Sequence, residues 1–118
     1  MRNVLTAGLL CLAAAGAGAQ DLGKKTFEQC VACHSLQAGE NGVGPTLHGL
    51  LGSTAGTVEG FRFSGPMKRS GIVWNERNLT EFLRNPQALV PNTRMPFSGL
   101  TDEAALKALV GYLATATK

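Results

Sequence analysis

Cys30-Val31-Ala32-Cys33-His34 sets two thiols three residues apart, with an imidazole directly after the second. Residues three apart on a helix share a face, so both thiols can reach one side of a flat ligand. Two thioethers to the vinyl groups of a porphyrin, with the next residue's imidazole on the iron, need that spacing: C-x-x-C-H is the pattern of c-type haem attachment. Rival chemistries use parts of it. A thioredoxin-like redox pair wants a preceding strand and a βαβ context, and the sequence has neither. A zinc site needs a fourth ligand, for which only His48 remains. A Cys30–Cys33 disulfide would make the chain an exported stability module. The motif favours one covalently attached haem c, held through Cys30 and Cys33 with His34 on the iron.

The surrounding sequence needs such a group. The chain has 118 residues, 44% apolar and 16% charged, which bounds it to one domain. Eight of its 15 glycines lie in residues 39–65, and residues 39–71 show hardly any helical or strand periodicity. A small domain with so long an irregular stretch needs a disulfide, a metal or a large cofactor in its middle. The regular segments all read as helices. One runs from Asp21, as N-cap, to about His34, with Leu22, Phe27, Cys30 and Val31 inward. A second covers residues 75–85, with Leu79, Phe82 and Leu83 on one face, and stops before Pro86. In the third, Thr101 is the N-cap, Asp102 and Glu103 favour the positive end of the dipole, and Leu106, Leu109, Val110 and Leu113 form the apolar stripe. No period-two alternation and no internal repeat is visible, so the fold class is all-α.

Residues 1–19 read as a cleaved secretory signal peptide: Arg2, an apolar stretch over residues 4–15, and the small-x-small site Ala17-Gly18-Ala19. The stretch is shorter than the roughly 20 apolar residues of a spanning helix. Cys11 brings a lipoprotein signal to mind, but Leu10 stands where such signals place a small residue. Cleavage leaves one domain over residues 20–118 with two cysteines. The loss of Arg2 takes the net charge from +3 to +2. No basic run exceeds two residues, which excludes a nucleic-acid binder.

Several further blocks stand around the haem motif. They are Gly23-Lys24-Lys25-Thr26-Phe27, Gly44-Pro45-Thr46-Leu47-His48-Gly49, Gly71-Ile72-Val73-Trp74 and Leu83-Arg84-Asn85-Pro86. Val90-Pro91-Asn92-Thr93-Arg94-Met95-Pro96-Phe97 and Leu109-x-x-Tyr112-Leu113 follow. In this order they resemble class I cytochromes c, of the mitochondrial type and the related bacterial periplasmic branch, over essentially the whole mature chain. The resemblance implies a few helices and long glycine-rich loops wrapped around one haem. It implies Met95 as sixth ligand, in a loop stiffened by Pro91 and Pro96, with Met67 as packing and His48 as structural. It also makes the Pro45 carbonyl the acceptor for the His34 ring N–H, and Trp74 a donor to a haem propionate. Phe97 covers the haem edge, and Phe82 and Thr93 complete the cofactor-binding set. Gly23 and Phe27 meet Leu109 and Tyr112 where the first and last helices cross.

The chain departs from that family in places. Phe82 and Phe63 stand where mitochondrial relatives have tyrosines, and Ser53 replaces an arginine near a propionate. Gln29, Gln87 and Ala88 occupy lysine positions, which thins the ring of lysines at the haem edge. Residues 86–99 hold no lysine, so the displacement of methionine by a loop lysine at high pH is expected to be missing; Arg94 does not deprotonate in the usable range. The function implied is a soluble periplasmic one-electron carrier, not an enzyme. It is a monomer with no membrane span after cleavage, and docks membrane or periplasmic redox proteins at the haem edge. The alternative is a haem enzyme or gas sensor whose sixth site is open or weakly held.

Overall fold

Two helices that cross, one near each end of the described residues, frame the protein. The structure, a computed structural model, describes Gly8 and residues 14–118. Most of the expected leader, Cys11 included, lies outside the described residues. The elements are α1 (Ala14–Phe27), α2 (Gly65–Arg69), α3 (Glu76–Arg84), α4 (Pro86–Leu89) and α5 (Glu103–Ala116). Among the described residues the only β pairing is an isolated antiparallel bridge, Thr54 with Val73. The all-α expectation stands.

Helix α5 forms for the local reasons its sequence shows. Leu106, Leu109, Val110 and Leu113 are all buried, Leu106 completely. The cap is Asp102 rather than the expected Thr101: its side chain accepts from the Ala105 backbone N–H at 3.1 Å. Helix α3 runs as expected, with the Asn75 side chain accepting from the Asn78 N–H at 2.7 Å, and Leu79, Phe82 and Leu83 buried. Arg84 reaches from α3 to α5, donating twice to the Glu103 carboxylate at 3.0 Å.

Helix α1 differs from the expectation at both ends. Among the described residues it already runs from Ala14, because the alanine-rich run before Asp21 propagates a helix, and Asp21 is therefore interior. It ends at Phe27, and residues 28–33 continue as turns. Its inward face is Gly23, Thr26 and Phe27, while Leu22 and Val31 are exposed. Gly23 lies where α1 crosses α5: a Cβ there would run into the Ala108 carbonyl oxygen and stand 2.7 Å from Tyr112 Cβ. Phe27 and Tyr112 pack beside it with ring centroids 5.5 Å apart.

Two short helices lie in stretches read as irregular or as helix ends. Ser64 caps α2, its hydroxyl accepting from the Met67 N–H, with Pro66 in the first turn and Met67 turned into the core. Pro86 does end α3, but it also opens α4, whose cap is the Asn85 side chain. The loops before and after α2 are tied by backbone bonds from Gly52 N to Trp74 O (2.8 Å), Trp74 N to Ser53 O (2.9 Å) and Ala55 N to Ile72 O (2.7 Å). That ladder places Trp74 in the core against Phe82, with ring centroids 5.1 Å apart.

Candidate haem site

The attachment motif sits on a turn, not on the regular helix the spacing suggests. Cys33 N and His34 N both donate to Cys30 O, at 3.1 and 3.0 Å. The i to i+3 bond gives this turn 3₁₀ character, in which side chains three apart eclipse one another, so the two thiols still share a side. Cys30 and Cys33 are half-buried and not disulfide-bonded. Burial, and secondarily Cys33, push the Cys30 thiol above its ordinary value.

Pro45, eleven residues on, orients the imidazole. His34 Nδ1 lies 2.7 Å from the Pro45 carbonyl oxygen. A carbonyl only accepts, so Nδ1 is the protonated nitrogen and Nε2 keeps its lone pair for a metal. The carbonyl is itself held by a knitted loop. Gly44 N donates to Cys33 O (2.8 Å), Leu47 N to Ser35 O (2.9 Å) and Thr46 Oγ1 to Gln37 O (2.6 Å). Asn41 bridges from the Thr46 N–H to the Glu59 carbonyl. Gly44 lies flat against the ring: a Cβ there would come within 2.8 Å of Nδ1 and 2.9 Å of Nε2. Gly44 and Pro45 stand in one of the blocks that carry the resemblance, but nothing in the sequence showed that the glycine faces the histidine.

Across the core, Met95 is half-buried and packs against the same cluster as Trp74, Phe82, Leu83 and Met67. Thr93 is buried and Phe97 half-buried. The segment is closed at its far end, where Leu100 N donates to Leu83 O at 2.8 Å. Gly99 (φ +119°) presses there on the backbone of Arg84 and Asn85, so close that a Cβ would stand 2.9 Å from the Arg84 carbonyl carbon. Trp74, the expected propionate donor, is buried. His48, the other histidine, is exposed. Among the described residues no three His, Cys, Asp or Glu side chains form a cluster.

These residues fit a covalently bound haem. Two unpaired thiols share one side of a turn, and the adjacent imidazole has its Nδ1 proton already committed. A thioether side chain stands in a closed loop over a largely apolar core. Comparison with known proteins agrees. The cytochrome c family model matches residues 20–117.

The chain belongs to the cytochrome c family.

Cytochrome c2 iso-2 of Magnetospirillum molischianum is 47% identical over 89 residues, covering 75% of this chain and 92% of that protein. Cytochrome c2 of Blastochloris viridis is 46% identical over 114 residues, covering 92% and 90%. The solved structure of cytochrome cH from Methylobacterium extorquens superposes with a TM-score of 0.75 at 39% identity, over 81% of this chain and 97% of that one. This cytochrome c is a monohaem electron carrier of the cytochrome c2 type and not an enzyme. Among the described residues no helix is long and apolar enough to cross a membrane.

Proposed function

We propose that this cytochrome c works in the bacterial periplasm as a one-electron shuttle between membrane or periplasmic redox proteins. In this reading Cys30 and Cys33 hold the haem, and His34 and Met95 ligate its iron. The haem supplies a ferrous/ferric couple, whose potential a methionine ligand raises. The observation that carries the assignment is the 2.7 Å bond from His34 Nδ1 to Pro45 O, which presets the ring for a metal on Nε2. Fast electron exchange asks that little moves between the two states. His34 is pinned at its edge by Pro45 and over its face by Gly44, while Pro91 and Pro96 stiffen the loop carrying Met95. Trp74 and Thr93 present donors for the propionates, and Phe82 and Phe97 keep water from the ring.

The leader reading belongs to the same proposal. A family match that starts at residue 20 supports cleavage after Ala19, which leaves a monomeric carrier over residues 20–118. Val31 and Val43, 57% and 72% exposed beside the attachment turn, give the docking face an apolar component where lysines are few. The test is the ferric absorption spectrum of the purified mature protein. A weak long-wavelength band from methionine sulfur on ferric iron is expected. Bound haem without that band would mean that Met95 does not close the site, and would favour sensor or peroxidase chemistry.

A further inference from the structure

The segment leading to Met95 makes a turn whose polar groups are not all met within it. Thr93 N donates to Val90 O at 3.0 Å, closing a β-turn with Pro91 second and Asn92 third. Asn92 has φ +66°, the left-handed conformation that the third position of a type II turn demands and that asparagine tolerates. Such a turn leaves the N–H of its third residue without an internal acceptor. The Gln87 side chain, projecting from α4, supplies one: its Oε1 accepts from Asn92 N at 3.0 Å. Its Nε2 donates to the Thr93 carbonyl at 2.9 Å, so one amide clamps both sides of the turn. The two bonds together fix which end of the amide is oxygen, since a backbone N–H only donates and a carbonyl only accepts.

The base of the clamp is rigid. Gln87 follows the buried Pro86, and the Asn85 side chain caps the helix below it, accepting from Ala88 N at 3.3 Å. Thr93 is two residues from Met95, so what holds the Thr93 carbonyl limits how far the methionine can swing away. A lysine in position 87 offers donors only and would leave the Asn92 N–H without an acceptor. The glutamine is therefore more than the loss of a surface charge.

We propose that Gln87 is a positioning residue for the sixth ligand, its amide locking the Val90–Thr93 turn so that Met95 resists displacement from ferric iron. This rests on the reading of Met95 as ligand, and the two parts are tested apart. The holoprotein is compared as wild type, Gln87→Ala, Gln87→Glu and Ala88→Gln, the last changing an exposed neighbour whose side chain has no hydrogen-bonding group. Hydrogen exchange of the Asn92 amide reads the clamp itself, and exchange is expected to speed up by about 3- to 10-fold in Gln87→Ala, the range for loss of one modest hydrogen bond. Imidazole titration of the ferric protein, followed by loss of the methionine–sulfur band, reads displacement. Affinity for imidazole is expected to rise about 3- to 10-fold in Gln87→Ala, less in Gln87→Glu, which keeps the acceptor for Asn92, and not in Ala88→Gln. Unchanged exchange at Asn92 would overturn the clamp. Faster exchange with unchanged imidazole affinity would overturn its role toward Met95. A wild-type protein without the methionine–sulfur band would overturn the ligand assignment, and the exchange experiment would still decide the clamp.

Discussion

Replacing Gly23 by alanine sets two effects of opposite sign against each other. Alanine is the better helix former by about 1 kcal/mol in a helix interior, and less near a helix start. Gly23 is the fourth residue after the expected cleavage site, so this gain is reduced in the mature protein. Against it stands the crossing with α5. A Cβ at residue 23 would overlap the Ala108 carbonyl oxygen and come 2.7 Å from Tyr112 Cβ and 3.0 Å from the Ala108 carbonyl carbon. Ordinary carbon contacts lie at about 3.5–4.0 Å, so the helices must part by about 1 Å. Two of these neighbours are backbone atoms, and no rotamer change relieves them. Opening a packed crossing of this kind destabilises by about 1–3 kcal/mol. The steric effect wins, with a net loss of about 1–2 kcal/mol, or a fall of about 4–16 °C in Tm for a domain of this size. The assay is thermal unfolding of the mature ferric holoprotein followed by far-UV circular dichroism. Gly111→Ala is the companion: it lies within α5, is exposed, and has nothing within 4 Å of the added carbon. There the propensity gain of up to about 1 kcal/mol acts alone and Tm rises by a few degrees. If both substitutions raise Tm, the α1–α5 crossing is not as close as described and the steric reasoning fails.

Gly44→Ala should turn the His34 ring off the Pro45 carbonyl. Loss of such a supporting bond weakens metal ligation by about 10-fold or more, so the acid-induced loss of the low-spin ferric spectrum should move up by about one pH unit, and an unchanged titration would refute it. The Arg84–Glu103 pair should matter only while Glu103 is ionised. The hydrogen bond from Arg84, with its charge, holds the carboxyl below its ordinary value, so the pair's contribution is full above that value and lost as pH falls through the depressed one. Glu103→Gln should therefore differ from wild type in urea midpoint at pH 7 and match it at a pH low enough to protonate Glu103. The difference at pH 7 should shrink in about 1 M salt, because both groups are exposed. Finally, the absence of lysine from residues 86–99 predicts that alkaline ferric protein shows no lysine ligand from that loop. Electron paramagnetic resonance finding a nitrogen ligand from it would contradict this.

What could be read along the chain was what depends on near neighbours. The two thiols and the imidazole are placed by covalent spacing alone, and they share a side whether the backbone is a helix or, as here, a turn. Helices α3 and α5 carry an apolar stripe and a capping side chain within a few residues, so their existence and buried faces were legible, with one residue's error at the Asp102 cap. The short helices were not. In α2, four of five residues are not apolar core formers, and Ser64 and Pro66 acquire their meaning only once Met67 is buried by distant loops. Both ends of α1 were displaced, because alanine propensity extends its start and the turn at Cys30 sets its end.

The haem motif, the all-α class, the candidacy of Met95 and the Pro45 carbonyl as partner of His34 were thus determined by sequence, through local spacing and through resemblance. Tertiary structure decided the rest of the site: that Gly44 faces the ring, that Gly99 closes on the end of α3, and that Gln87 holds the turn before Met95. Each of those contacts joins backbone to a partner whose position depends on how loops without periodicity pack. Only packing brings such groups within the 3 Å at which a hydrogen bond or a steric clash acts.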